Sequence, residues 1–89
     1  MAKNVHTLQE IINNQYDSLA AKGKLLAGFV LSNPDKAVFM TTRQLAAASG
    51  TSEATVIRFV RQMGFKSYAL FIQALRDLID RELTLMERR

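Results

Sequence analysis

Apolar residues recur along most of this chain at three- and four-residue intervals. No stretch shows sustained alternation with β-branched enrichment, so the pattern predicts helices and no sheet. Leu8, Ile11 and Ile12 follow His6 and Thr7 and mark a first short helix ending near Tyr16. Ser18 is the expected N-cap of a second, Leu19 to about Ser32, with Leu25, Leu26, Phe29 and Val30 on its inner face. Gly23 and Gly28 lie inside it, each costing ~1 kcal/mol against alanine, and Asn33-Pro34 closes it, because a residue before proline avoids the helical region. Pro34 then opens one turn through Val38, and Phe39 and Met40 read as buried plugs. Thr41-Thr42-Arg43-Gln44 fits a capping box for a third helix, Thr42 to Ser49, which Gly50 ends. Ser52 caps a fourth, Glu53 to Met63, closed by Gly64. Ser67 caps a fifth, from Tyr68 to at least Glu82.

The stretch from Thr42 to Arg61 has the plan of a helix-turn-helix: two short helices joined by a glycine turn, with a further element packed behind them. Ala46, four residues before Gly50, is small enough to let the second helix cross closely over the first, and Leu45 beside it faces inward. At about 100° per residue, Val56, Phe59, Val60 and Met63 fall on one stripe of the second helix, which is its core face. Ala54, Thr55, Arg58, Arg61 and Gln62 fall opposite. That face is slim, hydroxylated and basic. Glu53, the one acid of the helix, sits in its first turn, where it suits the positive end of the helix dipole.

Composition narrows what such a chain can do. It has 89 residues, 48% of them apolar, which fits one domain with a modest core. The absence of cysteine and the single histidine, His6, argue against disulfides, a thiolate zinc site and catalytic triads; His6 reads as an exposed polar residue at a helix start. No apolar run approaches the ~18 residues of a membrane helix, and the N-terminus has no signal-peptide core. The expectation is a cytoplasmic protein that is not an enzyme and carries no cofactor or metal. The net charge is +4, and its placement is the informative part. Residues 41–66 carry Arg43, Arg58, Arg61 and Lys66 against Glu53 alone, while the flanking segments are close to neutral. Charge concentrated in this way is the footprint of a nucleic-acid surface. Arginine can pair bidentately with guanine in the major groove, threonine can meet a thymine methyl or a phosphate, and Ser52 with the N–H groups behind it can hold a phosphate.

Three segments carry a family resemblance: Leu45-Ala46; Gly50-Thr51-Ser52-Glu53-Ala54-Thr55-Val56-Ile57-Arg58-Phe59; and Met63-Gly64-Phe65-Lys66-Ser67-Tyr68 with Phe71. They resemble the N-terminal domain of the RpiR family of bacterial transcription regulators, and Leu19 through Asn33-Pro34 resembles that family's helix-then-NP segment. The resemblance implies an all-α, five-helix helix-turn-helix fold of homeodomain-like type over residues 1–80. Residues 81–89 would end the last helix or begin a linker to a sugar-isomerase-like (SIS) domain, absent from this chain, that senses a phosphosugar. It implies double-stranded DNA as partner, a homodimer, and control of carbohydrate-metabolism genes, as repressor or activator. Ser52, Thr55 and Arg58 would face DNA from the recognition helix. Thr42, Arg43 and Gln44 would touch the backbone, and Lys66 and Ser67 would clamp a phosphate. The helical angles add Arg61 and Gln62. Ser49 and Thr51 depart from the usual helix-turn-helix pattern, which has apolar residues there, so a more polar and looser turn is expected.

The last helix carries a stripe of Tyr68, Phe71, Ile72, Leu75, Ile79 and Met86. From Leu78 on, with Leu83, Leu85 and Met86, it outlasts the small domain and is expected to serve either a dimer contact or a linker. Asp77 and Asp80 beside Arg76 and Arg81 read as a solvated ion-pair face. The rival reading of the chain is a helical protein-interaction module that works through this last helix, its basic helix being merely solvated.

Overall fold

The structure, a computed structural model, describes residues 7–87, and the side chains of residues 7–81. Helix α1 (Leu8–Gln15) starts at a complete capping box: Thr7 Oγ1 accepts from the Glu10 N–H, and the Thr7 N–H donates to Glu10 Oε1, both at 3.2 Å. A single 3-10 turn, Tyr16–Ser18, follows. Helix α2 (Ala21–Ser32) then begins two residues later than the sequence predicts, with Ala20 and not Ser18 at its N-cap. Leu19 is the reason. It takes an extended conformation, its side chain is buried, and it lies against Gly23, where an added Cβ would come within 3.3 Å of it. The helix can start only after that residue has dropped into the core.

Leu26, Ala27 and Val30 form the buried face of α2, Phe29 is half-buried, and Leu25, expected inside, is 53% exposed. Helix α3 (Pro34–Ala37), with Val38 at its C-cap, is the single turn that Pro34 is expected to open, and it makes six α-helices where five are expected. Its end buries Ala37 and Val38. Met40 is half-buried, but Phe39 is 82% exposed, the reverse of the expected plug. Tyr68 Oη donates to the Met40 carbonyl at 2.7 Å and the Met40 N–H donates to the Ala37 carbonyl. With both neighbours anchored inward, the side chain of Phe39 turns to solvent.

Helices α4 (Thr42–Ser49), α5 (Glu53–Gln62) and α6 (Tyr68–Glu87) complete an all-α fold, with no strand among the described residues. α4 and α5 pack on each other, α2 lies against both, and α6 closes the other side by packing on α1, α3 and α5. Fully buried Ile12, Leu26, Val30, Leu45, Val56, Phe71 and Leu75 bring five of the six helices into one core. Phe71 is its aromatic centre. The rings of Phe59 and Phe65 meet it edge-on at centroid distances of 6.0 and 5.8 Å, and Tyr68 lies tilted at 6.0 Å. Such pairs contribute ~0.5–1.5 kcal/mol each beyond burial, and this cluster fixes the rear of α5 against α6. No helix among the described residues is long and apolar enough to cross a membrane.

Candidate nucleic-acid interface

The two helices that build the site are delimited by local chemistry at both ends. At the start of α4, Thr41 Oγ1 accepts from the Gln44 N–H at 3.1 Å and the Thr41 N–H donates to Gln44 Oε1 at 3.0 Å, the predicted capping box. At the start of α5, Ser52 Oγ accepts from the Thr55 N–H at 3.1 Å. Both helices end in the same way. Gly50 (φ 74°) and Gly64 (φ 99°) take the left-handed region, and the residue after each donates back into its helix, Thr51 to Ala46 and Phe65 to Val60. This is the Schellman arrangement, which satisfies carbonyls the helix would otherwise leave orphaned.

The turn between the helices is polar but not loose. Ser49 Oγ donates to the Leu45 carbonyl at 2.8 Å and lies 2.9 Å from Thr51 Oγ1, so the two hydroxyls that depart from the apolar pattern bond to each other. Ala46 is buried at the crossing, as its size requires. Thr42 Oγ1 donates to Glu53 Oε2 at 2.9 Å and ties the first turns of α4 and α5 together. Glu53 therefore fixes the angle of the second helix in addition to suiting its dipole.

Val56, Phe59, Val60 and Met63 are all buried, so the core stripe of α5 is the predicted one. Ala54, Arg58, Arg61 and Gln62 are exposed opposite it, with Thr55 half-buried at the margin. Arg43 and Gln44 are exposed and Thr42 half-buried at the head of α4. The remaining candidates are placed differently. Thr55, Arg58 and Gln62 line one shallow groove between α5 and the start of α2, together with Leu19, Ala20, Lys22 and Gly23. Lys66 lines a separate depression with Phe65, Leu70 and Asp77, and the Ser67 hydroxyl caps α6 by accepting from the Leu70 N–H at 3.2 Å. Leu78, expected at the head of the apolar stripe left for a dimer or linker contact, is buried in this chain's own core. His6 and the side chains of Leu83, Leu85 and Met86 lie outside the described residues.

Lys22 is a residue of this surface that no sequence pattern singles out. It belongs to a segment of nearly balanced charge, 28 positions from the turn it reaches. Gln15 is a second such case: its Nε2 donates to the Gln62 carbonyl at 3.0 Å, tying α1 to the end of α5.

A capped, tightly crossed helix pair presenting a slim basic face defines a helix-turn-helix DNA-binding domain. The family model for the helix-turn-helix domain of the rpiR family matches residues 6–82, and the chain belongs to that family. It is 42% identical over 64 residues to an HTH-type transcriptional regulator of Providencia stuartii encoded in the aarA 3' region, a match covering 67% of this chain and 23% of that protein. It is 32% identical over 68 residues to the HTH-type regulator YfhH of Escherichia coli, covering 76% of this chain and 24% of YfhH. The chain thus spans about a quarter of the length of these relatives. Among solved structures, the Vibrio vulnificus NanR protein complexed with ManNAc-6P superposes with a TM-score of 0.79 and 30% identity, over 90% of this chain and 31% of that one.

Proposed function

We propose that this chain is the sequence-reading part of a bacterial transcription regulator, with α5 entering the major groove. The observation that carries this reading is the face of α5: Arg58, Arg61 and Gln62 exposed, and Thr55 beside them, opposite a fully buried apolar stripe. The major groove is ~12 Å wide and admits one helix, and a slim face with guanidinium and hydroxyl groups meets base edges there. Arg58 reads guanine and Thr55 meets a thymine methyl or a phosphate. Ser52, Thr42, Arg43 and Gln44 approach the backbone from the two helix heads, and Lys66 and Ser67 approach it from the turn before α6.

The protein binds as a homodimer to a two-fold operator in the bacterial cytoplasm, its two recognition helices ~34 Å or a multiple apart. The apolar part of α6 beyond Leu78 supplies the dimer contact or leads to a further, sugar-isomerase-like domain. The effector is a phosphorylated sugar held by that domain, and the genes controlled are those of carbohydrate use. Support for this finer reading is the family membership and the ManNAc-6P complexed with NanR of Vibrio vulnificus.

The test is selection of binding sites from mixed genomic fragments, followed by titration of the selected duplex at ~0.15 M salt. Arg58→Ala is expected to cost ~1–3 kcal/mol and to relax base preference, while Lys66→Ala weakens all sequences about equally. If both variants bind the selected duplex like the wild type, α5 is not the recognition helix. If no fragment is retained in a salt-sensitive way, the interaction-module reading takes its place.

A further inference from the structure

α2 begins beside α5, and only part of its first turn serves the core. Leu19, just before the helix, and Gly23 line the groove from buried positions, while Ala20 and Lys22 line it from exposed ones, with Thr55, Arg58 and Gln62 on the α5 side. No acid lines that groove. The Lys22 ammonium lies 3.5 Å from the Gly50 carbonyl, directly over the turn of the helix-turn-helix. Lys24, two residues on, diverges as i,i+2 neighbours on a helix must: its ammonium sits 5.4 Å from the centroid of the Tyr16 ring. One lysine of α2 thus joins the basic surface of α5 and the other is turned onto an aromatic ring.

We propose that Lys22 is a DNA-phosphate contact, extending the interface from the recognition helix onto α2. The inference rests on the reading of α5 given above. A backbone strand passing along the flank of α5 at Thr55 and Arg58 also passes the start of α2, where Lys22 is the cationic group. The existing contact does not compete with this role. An ammonium has three donors, so one can hold the Gly50 carbonyl while the others meet a phosphate oxygen. At 3.5 Å the carbonyl contact is long and is cheaply given up. Binding of this kind steers and strengthens without reading sequence.

The competing account is that Lys22 only satisfies the carbonyl at the turn. Salt dependence separates the two, because each phosphate contact adds about 0.9 to the slope of log affinity against log salt. The probe is a fluorescein-labelled duplex of random sequence, about 30 base pairs long, titrated from about 0.05 to about 0.2 M salt with thermal melts of each variant alongside. Lys22→Ala is expected to bind more weakly with a slope shallower by about one unit, so that its deficit shrinks roughly 3-fold across the range. Lys22→Arg keeps the wild-type slope, Lys22→Gln loses it, and Lys24→Ala keeps it. An unchanged slope for Lys22→Ala, with or without a lowered melting temperature, overturns the proposal. The reading of α5 is decided separately, by Arg58→Ala on the selected duplex. If that variant relaxes base preference while the Lys22→Ala slope is unchanged, α5 keeps its role and the Lys22 contact falls. If base preference is unchanged but the Lys22→Ala slope is shallower, the Lys22 contact stands and α5 loses its assigned role.

Discussion

Thr42 and Glu53 are joined by a 2.9 Å hydrogen bond across the two helices of the helix-turn-helix. Each residue sits in the first turn of its helix, so this one contact sets how the head of α5 is presented relative to the head of α4. Thr42→Val and Glu53→Ala are therefore expected to couple in a double-mutant cycle by about 0.5–1 kcal/mol. Melting curves of the two single variants and the double variant measure it. Strict additivity would show that the contact does not persist in solution.

Two glycines are expected to respond to alanine in opposite directions. Gly50 holds φ at 74° in the turn between α4 and α5, where a Cβ would meet no neighbouring atom but would strain a left-handed backbone that glycine adopts freely. Gly50→Ala should cost about 1–2 kcal/mol, with Gly50→Asn less damaging. Gly28 has ordinary helical geometry within α2 and open space where a Cβ would stand. Gly28→Ala should stabilise by about 0.5–1 kcal/mol, chiefly by restricting the unfolded chain. Denaturant midpoints of the two variants, falling on opposite sides of the wild type, are the expected result.

Burial pushes the Tyr68 phenol up from its ordinary 10.0 to about 12. The folded state therefore holds this proton more tightly than the unfolded chain. Tyr68's contribution is fully present below pH ~10 and is lost as the pH rises towards about 12. Absorbance at the phenolate band should show a late-titrating tyrosine that disappears in Tyr68→Phe. The same variant should be less stable at neutral pH by about 1 kcal/mol, because the Met40 carbonyl loses its donor.

Phe71 and Phe39 should respond as opposites although both are large apolar residues of the same type. Phe71 is fully buried among three aromatic rings, so Phe71→Ala should cost about 3–5 kcal/mol, enough to unfold much of so small a domain and to abolish DNA binding indirectly. Phe39→Ser should change stability by less than about 0.5 kcal/mol, since Phe39 is 82% exposed. Circular dichroism at rising temperature distinguishes them.

The family motif divides between these two kinds of role. Ser52, Thr55 and Arg58 lie at the surface of α5, whereas Phe59, Phe65, Tyr68 and Phe71 form the aromatic cluster behind it. Half of the recognisable pattern is thus scaffold that holds the other half in place. Read along the chain alone, the two halves are indistinguishable in kind.

Most features that depend on neighbours three or four residues apart were already legible in the sequence. The capping box at Thr41 and Gln44, the Ser52 cap, the glycine stops and the buried stripe of α5 are all of this kind, because backbone hydrogen bonds and helical periodicity are short-range. The tertiary structure alone decided the rest. α2 is apolar around most of its circumference, so periodicity could not tell buried Leu26 from exposed Leu25. Its start moved from Leu19 to Ala21 because Leu19 was needed in the core. Phe39 faces outward because Tyr68, 28 residues away from Met40, anchors the next carbonyl. Lys22 over Gly50, Gln15 on Gln62 and Thr42 on Glu53 are side-chain contacts between different helices. Which helix flanks can meet is set by the packing of the whole core, and no local pattern encodes it.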